Sequence, residues 1–288
     1  MNHFERLKPT SIGEAVSLLS EHGEKARIVA GGTDILVQMK KRVTLPEYLI
    51  SVEGIKGLDY IVHDKEDGLR IGPMTKITSI EKSSLIKSRY HALYQAAGKM
   101  ATPLIRSRAT IGGNLCNAAP SAETSTPLIV MGAIVKIEGS DGSENVFLED
   151  FFTGPGMTVL TDRKVLIDIR IPNLPPNSGS VYLKHTRAKG HDLAAVGVAA
   201  LIVMDGEIIK DVKIGLGAVA PTPIRANKAE EILKGKRPDD TVLQESGQAA
   251  ALESRPIDDL RSSAEYRRKM VAVLVKRAVG QAIQQMKG

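Results

Sequence analysis

Cysteine, tryptophan and long apolar segments are what this 288-residue sequence lacks. Its single cysteine, Cys116, excludes an intrachain disulfide, a four-thiolate zinc site and an iron–sulfur cluster built from this chain alone. No stretch approaches the roughly 18 consecutive apolar residues that span a bilayer, and the amino-terminal residues lack the apolar core of a signal peptide. Together with the free thiol, these features predict a cytoplasmic protein without a membrane span.

Aromatic residues and clustered charge are also scarce. The chain has 6 Tyr, 4 Phe and no Trp, and its net charge of +6 is spread without a run of five like charges. Few stacking platforms and no basic run argue against nucleic-acid binding. Hydrophobic residues make up 42% and charged residues 25%, which indicates an ordinary globular chain of about two domains.

Several common catalytic signatures are missing. The sequence has no HExxH zinc motif, no GxSxG elbow, no Walker loop and no closely spaced set of His, Cys and Asp. The sequence therefore contains no local motif for hydrolytic, metal-dependent or phosphoryl-transfer chemistry. We expect no catalytic residue and no metal ligand on this chain.

Local signals predict alternating helices and strands with one major boundary. The segment 101–122 has no periodicity and is predicted to be a loop, whereas three helices are expected to close the chain. The Pro- and Asn-rich stretch 172–179 cannot continue a helix or a central strand, so it predicts domains at 1–175 and 176–288. Three capping-box patterns predict helix starts, at Ser11 with Glu14, Thr78 with Glu81, and Ser262 with Glu265.

Two loops with paired glycines are the strongest candidates for a binding site. Paired glycines let the backbone approach an anion closely, and successive N–H groups favour a phosphate or pyrophosphate. The first loop also follows a short β-rich run, and its threonine is expected to cap the next helix. A single such pair is more often only a tight turn, and that reading stays open. The loops comprise Ala30, Gly31, Gly32, Thr33 and Asp34, and Thr110, Ile111, Gly112, Gly113 and Asn114.

Two further features each have two readings. The segment 215–220 fits the dinucleotide fingerprint GxGxxA, but Pro221 and Pro223 forbid the helix that this fingerprint requires. It is therefore predicted to be a strand packed closely against another element. Glu123, just after the second loop, is either a helix cap or an acceptor for a ribose hydroxyl.

The two loops, in this order and with the segments that follow them, resemble the FAD-binding medium subunit of the molybdenum hydroxylases. That group contains aerobic carbon monoxide dehydrogenase, bacterial xanthine dehydrogenases and nicotinate dehydrogenase. The ordered set is more specific than either loop and covers nearly the whole chain. The matching segments are 28–35, 109–115, 119–123, 165–172, 182–184 with Arg187, 192–194, 215–225 and 263–268.

The resemblance implies an α+β fold. A two-lobed FAD-binding domain, like those of the PCMH and vanillyl-alcohol-oxidase type, would precede a C-terminal antiparallel sheet with helices, like the CO dehydrogenase flavoprotein C-terminal domain. Both glycine loops would supply N–H groups to the FAD pyrophosphate. Glu123 falls where the family has an acidic residue toward the cofactor, and Leu166 and Lys184 fall at positions that line the cofactor site in xanthine dehydrogenases.

The function implied by the resemblance is electron transfer within a complex. A large molybdopterin subunit and a small subunit with two [2Fe–2S] clusters would be the partners, in a heterotrimer or a dimer of heterotrimers, and FAD would pass electrons to NAD, a quinone or oxygen. The relatives with an extra cluster in this subunit are excluded by the single cysteine. The alternatives are a stand-alone flavin oxidase of the vanillyl-alcohol-oxidase type and a non-catalytic assembly protein that kept the fold.

Overall fold

Four β-sheets, with helices packed against the three larger ones, make up the computed structural model, which describes residues 3–160, 163–188 and 192–286. The strands are β1 Glu5–Leu7, β2 Ala26–Val29, β3 Tyr48–Ser51, β4 Ile61–Asp64, β5 Gly68–Ile71, β6 Ile134–Gly139, β7 Gly142–Phe147, β8 Phe152–Gly154, β9 Met157–Thr158, β10 Val165–Ile171, β11 Ser178–His185, β12 Val196–Asp205, β13 Ile208–Gly217 and β14 Ile224–Arg225. The helices are α1 Ile12–His22, α2 Ile35–Lys40, α3 Ile77–Lys82, α4 Ser84–Arg89, α5 His91–Lys99, α6 Pro103–Arg106, α7 Ile111–Cys116, α8 Ser125–Val130, α9 Leu148–Phe151, α10 Asn227–Leu233, α11 Asp240–Glu253 and α12 Ala264–Gln285.

The first sheet places the first glycine loop. Its three strands are parallel in the order β1-β3-β2, and α1 packs beside them through Ala15, Val16 and Leu19. The predicted cap of α1 is confirmed, because Ser11 Oγ accepts from the Glu14 backbone N–H at 3.2 Å. The chain leaves β2 at Val29, turns through the glycines and enters α2.

The second sheet places the other glycine loop. It has the antiparallel order β4-β5-β10-β6-β7, and α3, α5, α7 and α8 contribute to the core that it buries. The expected loop 101–122 is wrong in part, because it contains α6 and α7. These helices of four and six residues are too short to produce a readable period.

The third sheet lies in the C-terminal part of the chain. Its strands are antiparallel in the order β11-β12-β13-β14. The predicted three closing helices are confirmed as α10, α11 and α12, which bury a core with this sheet. Helices α5 and α8 from the first half also contact it. As a result, Tyr182, Ala199 and Leu201 belong to the core built mainly by residues 69–171.

The dinucleotide-like segment is a strand, as the prolines predicted. A β-carbon on Gly217 would lie 2.6 Å from Thr126 Oγ1 of α8, and one on Gly215 would lie 2.9 Å from the Thr126 methyl carbon. These glycines therefore allow β13 to pack closely against α8.

The residue after β13 is held in an unusual conformation from two sides. Ala218 has φ of 63°, in the left-handed region that L residues other than glycine rarely occupy. Its N–H donates to the Pro120 carbonyl at 2.7 Å, and its carbonyl accepts from Arg267 Nη1 at 3.0 Å. The end of β13 is thus joined to the first half of the chain and to α12.

Two predicted helix starts are wrong. Helix α3 begins at Ile77 without a side-chain cap, so Thr78 lies inside its first turn. Glu81 instead binds Arg106 through two hydrogen bonds, at 2.8 and 3.0 Å. Helix α12 is capped by Ser263, whose Oγ accepts from the Tyr266 N–H at 3.2 Å, and not by Ser262.

Candidate functional site

A cleft of about 780 Å³ lies between the first two sheets, lined by both glycine loops. Most of the predicted site residues meet there, and three do not, namely Ile111, Glu123 and Lys184. The predicted residues that line the cleft are Ala30, Gly31, Gly32, Thr33, Asp34, Thr110, Gly112, Gly113, Asn114 and Leu166.

The first glycine loop offers a row of backbone donors. Across the described ranges 3–160, 163–188 and 192–286, no hydrogen-bond acceptor is found for the backbone N–H groups of Gly31, Gly32, Thr33 and Asp34. Gly32 has a positive φ of 77°, whereas Gly31 and Thr33 do not. This alternation of backbone conformation is typical of an anion-binding nest, in which successive N–H groups face the same anion. The expected cap by Thr33 is wrong, because the residue before α2 is Asp34 and its side chain makes no capping bond.

The second glycine loop is built differently. Four of its five N–H groups are already used. Ile111 donates to the Thr75 carbonyl at 3.0 Å and Gly112 to the Pro73 carbonyl at 2.9 Å. Gly113 donates to Thr110 Oγ1 at 3.1 Å, and Asn114 to the Thr110 carbonyl at 3.0 Å. Among the described residues only the Thr110 N–H of this loop has no acceptor, so the second loop has fewer free backbone donors than the first and otherwise offers side-chain groups to a ligand.

The glycines of both loops permit close approach of other segments. A β-carbon on Gly31 would lie 2.1 Å from the Arg108 carbonyl oxygen, and one on Gly112 would lie 2.7 Å from the Pro73 carbonyl oxygen. A β-carbon on Gly113 would lie 3.9 Å from the Ala30 methyl carbon, so the two loops lie side by side. Their convergence, expected from the sequence, is present in the fold.

The segment that binds the second loop carried no sequence signal. Thr75 is fully buried, and its Oγ1 accepts from the Tyr60 N–H at 3.1 Å and donates to the Tyr60 carbonyl at 2.9 Å. The Tyr60 hydroxyl binds Asp168 Oδ1 at 2.5 Å, while Arg70 Nε donates to Asp168 Oδ2 at 3.1 Å. Burial, then the hydrogen bond and charge of Asp168, raise the pKa of Tyr60. These contacts fix the backbone on which the second loop rests.

Two ionisable groups in the cleft have shifted pKa values. Partial desolvation raises the pKa of the Asp34 carboxyl, against a smaller opposing effect of its hydrogen bond with Thr33, although the side chain keeps contact with solvent. Burial raises the pKa of the Cys116 thiol to about 12. Cys116 is therefore a neutral thiol at the wall of the cleft and not a nucleophile.

Glu123 and Lys184 bind each other beside the cleft. Lys184 Nζ lies 2.8 Å from Glu123 Oε1, and the two side chains are only 5% and 6% exposed. Lys184 also donates to the Lys99 carbonyl at 3.0 Å. Burial, followed by the charge of Glu123, raises the pKa of nearby Tyr182. The pair joins the segment after the second loop to β11, so neither residue is presented to the cleft.

The described residues contain neither a membrane-spanning helix nor a cluster of metal ligands. No helix among the described residues is long and apolar enough to cross a membrane. Within the same residues, no group of three or more His, Cys, Asp and Glu side chains is arranged to hold a metal ion.

Comparison with known proteins gives matches over both halves of the chain. Residues 2–174 match the family described as "FAD binding domain in molybdopterin dehydrogenase", and residues 181–282 match "CO dehydrogenase flavoprotein C-terminal domain". The carbon monoxide dehydrogenase medium chain of Hydrogenophaga pseudoflava is 34% identical, over 97% of this chain and 96% of the relative. The xanthine dehydrogenase FAD-binding subunit of Escherichia coli O157:H7 is 28% identical, over 96% of this chain and 94% of the relative.

Solved structures give the same result. A chain of carbon monoxide dehydrogenase from Hydrogenophaga pseudoflava superposes with a TM-score of 0.95 at 34% identity, over 99% of this chain and 98% of that one. A chain of quinoline 2-oxidoreductase from Pseudomonas putida 86 superposes with a TM-score of 0.92 at 26% identity, over 99% and 98%.

Proposed function

Because this chain belongs to the FAD-binding medium subunits of the molybdenum hydroxylases, we propose that it holds FAD in the cleft between its glycine loops and passes electrons through it. The observation that carries the proposal is the row of N–H groups at Gly31–Asp34 for which the described part of the chain provides no acceptor. A pyrophosphate is the group that such a row binds best, because it brings negative charge and many acceptor oxygens.

Three predictions made from the sequence are confirmed. The family and FAD as its cofactor are confirmed by the matches over 2–174 and 181–282 and by the relatives. The α+β fold class is confirmed by the superposition on the carbon monoxide dehydrogenase chain. The chain is accordingly a subunit of an oxidoreductase.

Each wall of the cleft has its own role in this proposal. FAD supplies the redox chemistry, and the protein binds and orients it. The first loop, Ala30–Asp34, holds the pyrophosphate through its backbone. Thr110 Oγ1 accepts from Gly113 and keeps its own hydrogen for a ligand, while Leu166, only 5% exposed, offers an apolar surface.

The partners follow from the same family. The relatives are medium chains or FAD-binding subunits, so this chain works within a multi-subunit enzyme. We propose a large molybdopterin subunit and a small subunit with two [2Fe–2S] clusters as the partners, in a heterotrimer or a dimer of heterotrimers. Electrons then enter FAD from the clusters and leave to NAD, a quinone or oxygen. The single cysteine supports clusters on another chain.

Domain limits and location are also proposals. We place an FAD-binding domain at 1–175 and a C-terminal domain at 176–288, supported by the separate sheets on either side of this limit. A cytoplasmic location agrees with an unpaired cysteine.

The test is binding of FAD to the purified full-length chain. We expect one FAD per chain, with a flavin absorption spectrum and a higher Tm than that of the protein without flavin. Hydrogen exchange should slow at residues 31–34 on binding and stay unchanged at 111–114, where the N–H groups already have acceptors.

Riboflavin is the matched control ligand, because it has the same ring system without the pyrophosphate. It should bind more weakly and leave exchange at residues 31–34 unchanged. Absence of FAD binding would overturn the proposed function. Equal protection of residues 31–34 by riboflavin would show that the first loop does not hold the pyrophosphate.

A further inference from the structure

The Asn114 carboxamide reaches the cleft in an orientation that one threonine sets. Thr124 Oγ1 donates to Asn114 Oδ1 at 2.5 Å. Thr124 is fully buried, and Asn114, which lines the cleft, is 8% exposed. A carboxamide oxygen accepts hydrogen bonds and its nitrogen donates them, so holding the oxygen on Thr124 turns the NH₂ group away from Thr124. That NH₂ group is left as a donor for a ligand.

Thr124 is in turn held by the C-terminal part of the chain. Its neighbour Glu123 is fixed by the buried bond to Lys184 of β11. Four residues before Thr124, the Pro120 carbonyl accepts from the Ala218 N–H at 2.7 Å. These two anchors lie just before Thr124 and helix α8 begins just after it, so Thr124 is held in place if the Asn114 side chain rotates.

We propose that Thr124 is a positioning residue that keeps the Asn114 NH₂ directed at an oxygen atom of the bound cofactor. This inference rests on the proposed function. The FAD pyrophosphate and sugar groups are rich in acceptor oxygens. If the carboxamide rotated by half a turn, its own oxygen would face a cofactor oxygen, and a repulsive contact would replace a hydrogen bond. The second glycine loop, whose N–H groups at residues 111–114 are occupied, thereby contributes through a side chain.

Three variants of the full-length chain test this role. Thr124→Val removes the hydroxyl and keeps the side-chain shape, whereas Thr124→Ser keeps the hydroxyl. Thr126→Val is the matched control, because Thr126 is 1% exposed in the adjoining helix α8 and its hydroxyl finds no hydrogen-bond partner among the described residues. The measurements are the Kd for FAD at 25 °C and the Tm of each protein without flavin.

Thr124→Val should weaken FAD binding about tenfold, the usual effect of losing one well-placed hydrogen bond. Thr124→Ser should bind FAD as tightly as the unmodified chain, and so should Thr126→Val. In an Asn114→Ala background, Thr124→Val should cause no further loss, because the residue it positions is gone. A purely structural role of Thr124 would not depend on Asn114 in this way.

The inference is overturned if Thr124→Val binds FAD like the unmodified chain, or if its effect persists in the Asn114→Ala background. Thr124→Ala is the second variant, to be used if Thr124→Val does not fold, and the same results apply to it. Failure of the unmodified chain to bind FAD would instead overturn the proposed function.

Discussion

At the scale of single residues, the four glycines of the two loops have different reasons to be glycine. Gly31 and Gly112 face backbone atoms of other segments at distances that exclude a β-carbon. Gly32 adopts a positive φ of 77°, and a β-carbon on Gly113 would meet only the Thr110 side chain and, at 3.9 Å, Ala30. Substitution should therefore be most damaging at Gly31 and Gly112, where a backbone has to move.

Gly31→Ala should destabilise the chain by about 1–3 kcal/mol and abolish retention of FAD, because the new methyl group displaces the Arg108 carbonyl. Gly98→Ala is the control, since its β-carbon would lie no closer than 3.9 Å to any other group outside its helix. In helix α5 that change should be neutral or stabilising by up to about 1 kcal/mol. Urea unfolding and flavin content measure both effects, and a Gly31→Ala protein with full flavin would contradict this account of the site.

The thiol of Cys116 should be nearly unreactive. Its pKa of about 12 makes the thiolate fraction at neutral pH about a thousandfold lower than that of an ordinary cysteine. Alkylation by iodoacetamide at pH 7.5, followed by mass spectrometry, should be far slower in the folded chain than in urea, and FAD should slow it further because Cys116 lines the cleft. Alkylation at the same rate in folded and unfolded chain would contradict the assigned pKa.

At the scale of elements, an ion pair with two hydrogen bonds joins α3 to α6, just before the second loop. Glu81 binds Arg106 Nε and Nη2, and Arg106 Nη1 also donates to the Met100 carbonyl at 2.9 Å. The Arg106 side chain is 10% exposed, so loss of its partner leaves a largely buried charge. This contact orders the segment that leads into the second glycine loop.

Glu81→Gln should lower the free energy of unfolding by about 1.5–3 kcal/mol, the usual contribution of hydrogen bonds to a charged group. Thr78→Ala, on the same helix, should change it by less than about 0.5 kcal/mol, because Thr78 is not a cap. Urea unfolding followed by circular dichroism measures both. A larger loss of stability in Thr78→Ala than in Glu81→Gln would instead support the capping box predicted from the sequence.

The start of α12 gives a second test at this scale. Ser263→Ala should cost about 1 kcal/mol, because it removes the acceptor for the Tyr266 N–H. Ser262→Ala should cost less than about 0.5 kcal/mol, since its hydroxyl caps no helix. Thermal unfolding of the two variants distinguishes them, and an equal loss of stability would contradict the assignment of the cap.

These elements show where sequence reasoning succeeds and where it fails. The Ser11 cap and the glycine loops were predictable because their signals are local. The order of the loops along the chain was enough to indicate the family. Glu81 has the same capping pattern, but it is bound by Arg106, which is distant in sequence. The acceptors at Pro73 and Thr75, which bind the N–H groups of Gly112 and Ile111, also depend on contacts that form only in the fold.

At the scale of the whole molecule, the two halves share a core. Tyr182, Ala199 and Leu201 of the C-terminal sheet pack with residues of the second sheet. A second core lies between the C-terminal sheet and its three helices. Because the sheet contributes to both cores, the halves are expected to stabilise each other.

The chain should therefore unfold in one transition, with loss of helical signal and release of flavin at the same urea concentration. Leu201→Ala should lower both midpoints together, at a cost of about 2–5 kcal/mol, because Leu201 is 5% exposed in the shared core. Leu252→Ala is the control at a leucine that is 85% exposed and should have almost no effect. Two separated transitions would show that the halves fold independently.

The left-handed Ala218 has a consequence for the order of events during synthesis. Its peptide groups are held by Pro120 on one side and by Arg267 on the other. Ala218 is thus held from both sides only after the last helix has left the ribosome. A nascent chain tethered near residue 260 has both glycine loops but lacks the Arg267 contact, so we expect the backbone of Ala218 to become fixed only after α12 has been synthesised.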